Sequence, residues 1–290
     1  MKNSILVVFA FFFLISCNKS KTEALDTPNQ GTITLEADES FKSVTEALTE
    51  RYMALNPSTK INVVYTKEDI GLLDLLDRKT RVIVMSRNLT KSEKDAYDKK
   101  INLPWQPAKF AADALVFVVS KENSTIKELS VDEIKKRISS DEKSLIFDGA
   151  NSSNINFIAQ QFNVKASALK YSIIKGNENI VKELEKYPNK IGVISLNTIS
   201  RPYGDEAIML RDKINVLPIV DKGKSYTPTV DNLQDMQYPF TRVLYFLTNE
   251  AYYGLGNGFI RFACTQLGQI VVEKEGLQPY NLYRREVQMR

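Results

Sequence analysis

The chain has no histidine, and its 290 residues include only two cysteines, Cys17 and Cys264. Without imidazole, neither a Ser-His-Asp nor a Cys-His relay can be assembled, and a histidine-ligated metal site is excluded as well. Cys17 ends the leader described below, so one thiol remains and no disulfide can form within the rest of the chain. That thiol, Cys264, closes the apolar stretch Phe259–Cys264, whose spacing is helical. It is expected to be a buried small apolar residue, because a nucleophile would need a base and an activating environment. No tract rich in glycine, proline or serine divides the sequence, and no repeat or low-complexity run is evident. The 39 basic and 35 acidic side chains are interspersed, with a net charge of +4, and no Lys/Arg block suggests a nucleic-acid partner. Beyond the N-terminus, no apolar run is long enough to suggest a membrane span.

What is present begins with that N-terminus. Lys2 gives a basic start, Ile5 to Ile15 is almost wholly apolar, and Leu14-Ile15-Ser16-Cys17 follows. This is the pattern of a secretory signal, and it is too short to span a bilayer comfortably. The last four residues also resemble the bacterial lipobox, in which the cysteine becomes the first residue and carries acyl chains. Residues 1–17 are therefore expected to be a lipoprotein signal peptide, with Cys17 as the lipidation site. The protein is expected to be periplasmic and held to the envelope membrane by its N-terminal lipid. Residues 18–30 are polar and aperiodic and are expected to form a flexible tether. Removing Lys2 lowers the net charge from +4 to +3. Residues 31–290 are enough for two lobes of roughly 100 to 150 residues each.

Along the body, Thr32–Ala37 alternates like a strand, and Phe41, Val44, Leu48, Tyr52 and Leu55 follow at helical spacing until Asn56-Pro57. Lys60–Tyr65 reads as a second strand, 69–78 as a helix with Ile70, Leu73 and Leu76 on one face, and Arg81–Ser86 as a third strand. Thr90 to Glu93 is a capping box opening the next helix. This β-α-β-α-β-α order predicts a parallel sheet with helices on its faces. Asp113–Ser120 is a strand that is apolar after its first residue. A second α/β set follows: helices over 130–138, 155–162 and 177–187, and strands at 145–147, 190–195 and 214–219. Tyr238–Thr248 reads as a long return strand and 252–274 as a helical region, Gly-rich at its start. One outward and one returning strand would join a discontinuous lobe 1 (31–113 plus 234–290) to a continuous lobe 2 (114–233).

Three loops lie where strands end: Asp38-Glu39-Ser40-Phe41, Ser86-Arg87-Asn88 and Asn151-Ser152-Ser153-Asn154. Ligands of open α/β sheets bind beyond the carboxyl ends of the strands, and helix N-termini offer free N–H donors to anions. Hydroxyls of Ser40, Ser86, Ser152 and Ser153 would add neutral donors. Arg87 would add a charged fork matched to a tetrahedral oxyanion. Taken singly, each loop also reads as an ordinary helix cap and Arg87 as a surface arginine. Only their joint placement points to an anion site.

At these residues the chain resembles the phosphate-binding proteins of ABC phosphate importers, within the periplasmic binding protein superfamily, from about Gly31 to Pro279. The resemblance rests on Ser86-Arg87-Asn88-Leu89-Thr90 with Glu93, on Asp113–Val119, Leu129–Ile134 and Ile191–Ser195, and most specifically on Tyr238–Tyr245. Gly254 to Phe262, Gly268-Gln269 and Gly276–Pro279 add to it. It implies a two-lobed, type II-like periplasmic-binding-protein fold of the α/β class, hinged on two crossover strands, with an oxyanion held between the lobes. Carried over by position, Ser40 and Phe41 form the first ligand loop, Ser86 and Arg87 the second, and Asn151, Ser152 and Ser153 head the helix of the third. The chain departs from the pattern at Ala37–Ser40, where the family loop is Gly-rich. It departs again at Phe147, near a family arginine, and at Ser152, in place of a glycine. Asp38 or Glu39 would accept a hydrogen bond from hydrogen phosphate, a bond that fully deprotonated sulfate cannot return; both also read as first-turn acids serving a helix dipole.

The expected function is capture of phosphate or a related oxyanion by a monomer that delivers it to an envelope transporter permease, with no cofactor, no metal and no catalytic residue. Arg87→Ala is expected to abolish binding and leave the fold intact. Competing readings are a binder of another oxyanion or a phosphorylated metabolite, and an envelope docking module that has lost its ligand. A phosphatase is disfavoured by the absence of histidine and of clustered metal carboxylates.

Overall fold

The computed structural model describes residues 26–282 except 123. The expected signal peptide, Cys17 and residues 18–25 of the expected tether lie outside the described residues.

Strands β1 (Gly31–Ala37), β2 (Thr59–Tyr65) and β3 (Val82–Met85) alternate with helices α1 (Lys42–Leu55) and α2 (Glu68–Leu76), and α3 (Lys91–Ile101) follows. Strand β4 (Ala108–Ser120) leads into β5 (Leu129–Ser130), α4 (Val131–Arg137), β6 (Leu145–Phe147), α5 (Ser153–Gln161), β7 (Ser172–Ile173) and α6 (Asn177–Glu183). Next come β8 (Ile191–Ser195), α7 (Asp205–Lys213), β9 (Ile214–Val216), the hairpin β10 (Ile219–Asp221) and β11 (Lys224–Tyr226), and α8 (Val230–Gln234). Strand β12 (Thr241–Thr248), helices α9 (Leu255–Cys264) and α10 (Gln266–Lys274), and β13 (Gln278–Pro279) complete the described chain.

These elements form a two-lobed α/β fold around a sheet ordered β2-β1-β3-β12-β4-β8-β6-β7. The β1 pairings with β2 and β3 are parallel, as expected where helices cross between strands. Strand β4 is shared. Its residues 108–114 pair antiparallel with β12, whereas Leu115–Val118 pair with β8 and Val118–Ser120 with β9. Covered on both faces, β4 is buried from Phe110 to Ser120, which accounts for the apolar run Ala114–Val119. The return crossing passes through Phe240, whose carbonyl accepts from Leu115 N at 3.0 Å.

Four sequence expectations change. The last five tether residues are docked: Asp26 accepts from Leu255 N at 2.8 Å and from Arg81 at 3.0 Å, and it pairs with the Tyr252 hydroxyl. The Tyr52 hydroxyl donates to Pro28 O at 2.5 Å. A Cβ on Gly258 would come within 2.7 Å of Pro28 Cβ, so only glycine lets this strap lie against α9. Helix α2 is rotated from the expected face. Ile70 and Leu73 are 45% and 59% exposed, whereas Leu72, Leu75, Leu76 and Glu68 are buried. The inward turn of Glu68, which pairs with Ser86 and Arg87, sets this rotation. The return strand begins at Thr241 rather than Tyr238, because Pro239 cannot donate to a ladder. The C-terminal helical region is two helices, broken where Thr265 adopts extended backbone. The capping box at Thr90 and Glu93 is present as expected, and Ser130 with Glu133 forms a second one.

Candidate functional site

The three loops converge on the seam between the lobes. Asp38 follows β1 directly, and its carboxylate accepts from Ser40 N at 3.0 Å, capping the short turn that precedes α1. Its second oxygen reaches across the seam and accepts from Ser153 N at 3.0 Å. Ser153 is the first residue of α5, where backbone donors have no partner within the helix and an anion is favoured. Ser152 caps α5 and donates to Asp148 Oδ1 at 2.9 Å. Asp148 is itself paired across the seam with Lys67 Nζ at 2.8 Å. Burial, then the nearby Asp38, pushes the Asp148 carboxyl above its ordinary range. Burial opposes the charge on Lys67, but Asp148 and Asp38 outweigh it and hold the ammonium pKa above its usual value.

A second cluster surrounds Glu68. It accepts from Ser86 N at 2.7 Å and from Ser86 Oγ at 2.8 Å, and Asn156 of α5 reaches it at 3.4 Å. Desolvation raises the Glu68 pKa, opposed by Arg87 and by both Ser86 donors. Arg87 Nε lies 3.3 Å from Glu68. Its Nη1 donates to Glu93 at 2.9 Å and to Asn88 O at 3.3 Å, and Nη2 donates to Asp69 and Glu93 at 2.8 Å each. Every guanidinium nitrogen of Arg87 therefore faces a protein oxygen, and the acids raise its pKa despite burial.

A third network lies beneath the first loop. Asn177 donates to Ser40 Oγ at 3.0 Å and accepts from Asn154 at 2.9 Å and Ser195 N at 3.2 Å. Asp113 of β4 accepts from Ser195 Oγ at 2.8 Å, Asn197 N at 3.0 Å and Arg242 Nε at 2.8 Å. The Arg242 guanidinium lies 4.7 Å from the Phe41 ring centre and 5.8 Å from that of Phe157.

Of the expected site residues, Asp38, Ser40, Phe41, Ser152 and Ser153 meet in one buried network. Ser86 and Arg87 stand beside it, joined through Asn156. Asn151 is exposed in a left-handed turn (φ 59°) and takes part only through its carbonyl, 3.5 Å from Asp69 N. Glu39 is exposed at a cleft of about 320 Å³ that Ser40, Lys42, Asn177 and Asn197 also line. Lys67, Glu68, Asp148, Asn177 and Arg242 were not among the expected residues. A charge within an otherwise apolar strand was the available signal for Arg242, since such a residue is rarely buried without a specific reason.

Burial raises the Cys264 thiol to about 11, which makes it a poor nucleophile at neutral pH. Among the described residues, no group of three or more Asp, Glu or Cys side chains is arranged to hold a metal ion. None of their helices is long and apolar enough to cross a membrane.

Residues 22–266 match the model of a PBP superfamily domain, and the chain belongs to that superfamily. The phosphate-binding protein PstS of Borreliella burgdorferi is 22% identical over 303 residues, taking in 95% of this chain and 98% of that protein. A Clostridium perfringens ABC transporter substrate-binding protein, solved with bound phosphate, superposes with a TM-score of 0.69 at 20% identity over 86% of this chain and 99% of that one. An ABC-type phosphate transport receptor from Vibrio cholerae gives a TM-score of 0.62 at 17% identity, over 85% of this chain and 99% of that one. At such identities the structural likeness is one of fold.

Proposed function

We propose that this protein captures phosphate, or a closely similar oxyanion, between its lobes and delivers it to the permease of an ABC importer. One observation carries the reading. The two oxygens of Asp38 are held by backbone N–H groups from opposite sides of the seam, Ser40 N and Ser153 N, each at 3.0 Å. This is the donor geometry an oxyanion requires, and here it grips an oxyanion-shaped group of the protein itself. The relatives named phosphate-binding proteins support the same reading.

Phosphate takes these donors by exchanging with the Asp38 carboxylate. Ser40, Phe41 and Ser153 are its nearest contacts, and Ser152 with Asn151 shapes the helix start. Asp38, displaced, accepts a hydrogen bond from the O–H of hydrogen phosphate, and sulfate has no O–H to donate. Ser86 and Arg87 hold the acid cluster that forms the opposite wall, and Glu39 stands at the mouth. The lobes are residues 31–113 with 234–290, and residues 114–233; they close by hinging on β4 and the return crossing. The ligand is bound without chemical change. The protein works as a periplasmic monomer anchored through a lipid on Cys17.

A second reading draws on the same contacts. The carboxylates of Asp38 and Glu68 occupy Ser153 N and Ser86 N, as they would in a docking module with a sealed cleft. Calorimetric titration with phosphate and with sulfate, after stripping bound ligand by reversible unfolding, separates the two. Micromolar or tighter binding of phosphate alone is the expected result. Heat from neither anion would leave the docking module.

A further inference from the structure

We infer that Arg242, and not Arg87, supplies the positive charge that meets the bound oxyanion. The inference rests on the capture reading and names the ligand's principal cation. Arg87 has no nitrogen to spare, since each one faces Glu68, Asp69, Glu93 or the Asn88 carbonyl. Arg242 presents the opposite case. It is 1% exposed, and its one hydrogen bond runs from Nε to Asp113 Oδ2 at 2.8 Å. The same oxygen sits 2.8 Å from Nη2 in an ion pair. Nη1 has no hydrogen-bond partner among the described residues, and Nη2 has only that ion pair. Buried N–H groups left in this state are destabilising, most of all on a charged group.

The surroundings are those of a seat for a small anion. Phe41 and Phe157 flank the guanidinium, and cation–π attraction holds its plane without using its donors. Each ring brings a hydroxyl with it. Ser40 precedes Phe41 in the chain, and Ser153 lies one helical turn before Phe157 on the same face of α5. The Ser153 hydroxyl and Asn197 Nδ2 are also buried with no partner among the described residues. These three residues with unpartnered donors share a single network: Arg242 and Asn197 through Asp113, and Ser153 through Asp38.

The placement also has a mechanical consequence. Arg242 and Asp113 are directly opposed residues of β12 and β4, at the junction where the sheet passes from one lobe to the other. A charge fixed there stays in place while the lobes swing. Ser40 N from one lobe and Ser153 N from the other then close on an anion already resting on Arg242. Asp113 neutralises the guanidinium on its far edge, so the pair carries no net charge until the ligand arrives.

The test is phosphate titration of the detergent-solubilised full-length chain, as wild type and as the Asp113→Asn/Arg242→Met double variant. The double variant removes both charges together and strands neither, and its folding is checked by circular dichroism and melting. Loss of at least about a hundredfold in affinity is expected, as for the removal of two charge-assisted hydrogen bonds. A folded double variant that binds phosphate within threefold of wild type overturns the inference and leaves the capture reading standing. A wild-type chain that binds no phosphate removes that reading, and the inference falls with it. Should the double variant not fold, a crystal structure of the wild-type chain grown with phosphate decides. A phosphate oxygen about 3 Å from Arg242 Nη1 supports the assignment, and none within about 4 Å refutes it.

Discussion

Replacing Asp38 by asparagine perturbs one contact that joins the lobes and leaves the volume unchanged. The aspartate bonds Ser40 N and Ser153 N with its two oxygens, both at 3.0 Å. Asparagine has one acceptor oxygen, and the local bond to Ser40, two residues away, retains it. The amide nitrogen then faces Ser153 N, donor against donor. A hydrogen bond to a charged group contributes roughly 1.5–3 kcal/mol, so closure loses about 2 kcal/mol. That shifts the open-to-closed ratio about thirtyfold, at 1.4 kcal/mol per factor of ten. Amide hydrogen exchange at Ser153 reads the shift directly, because its N–H exchanges when the seam opens. In ligand-free protein with fast reclosing, this amide should exchange about thirtyfold faster in Asp38→Asn, while amides of β4 keep their rates. An unchanged rate at Ser153 would show that the carboxylate does not hold the lobes together.

Removing Arg87 should unfold more than it unbinds. Arg87→Ala leaves buried Glu68 without its countercharge and should cost about 3–5 kcal/mol in chemical unfolding, against the sequence-based expectation of an intact fold. Glu36 gives a pH signature. Burial, then Asp74, raises it from 4.5 to about 7 against the pull of Lys79. The folded chain therefore binds more protons than the unfolded chain between these values, and stability falls as pH rises through that window. Glu36→Gln should raise the melting temperature at pH 8 and leave it unchanged at pH 4; an equal effect at both would refute the linkage. Asp26→Ala removes the bonds from Arg81 and Leu255 N and should expose the strap to limited proteolysis near Gln30, while the body stays resistant.

The fold was legible because several local signals agreed. The β-α-β alternation pointed to a parallel sheet, the Thr90–Glu93 capping box to the helix that follows it, and the apolar run of β4 to a strand covered on both faces. The buried face of helix α2 is not legible in the sequence, because Glu68–Leu76 carries apolar residues nearly all round: Ile70, Leu72, Leu73, Leu75 and Leu76. With so little periodicity, a buried acid decided the rotation, and its partners Ser86 and Arg87 lie 18 and 19 positions further along. The site shows the same division. Strand ends followed by Ser, Asp and Asn marked the three loops. The bonding between loops could not be read from sequence, because Asp38 to Ser153 and Lys67 to Asp148 span 115 and 81 positions. Arg87 is legible in the sequence only as a charged fork at the end of a strand. Nothing in the sequence says that Glu68, Asp69 and Glu93 would surround it.

An acid-lined seam suits an anion binder once the lobes must close without ligand as well as with it. Lys67 with Asp148, Asp38 with Ser153 N, and the reciprocal pair of Asn88 and Gln160 all stitch the seam from the protein's own groups. On the proposed function, ligand binding is then an exchange: phosphate gains Ser40 N and Ser153 N, and Asp38 loses them. Only the difference between the two appears as affinity, since an anion that binds no better than the resident carboxylate shifts nothing. A carboxylate has two oxygens in a plane, while phosphate has four in a tetrahedron. The surplus oxygens are what Arg242, the Ser153 hydroxyl and Asn197 are placed to receive. Selectivity in this protein therefore lies less in the donors that already hold Asp38 than in the buried donors that Asp38 cannot reach.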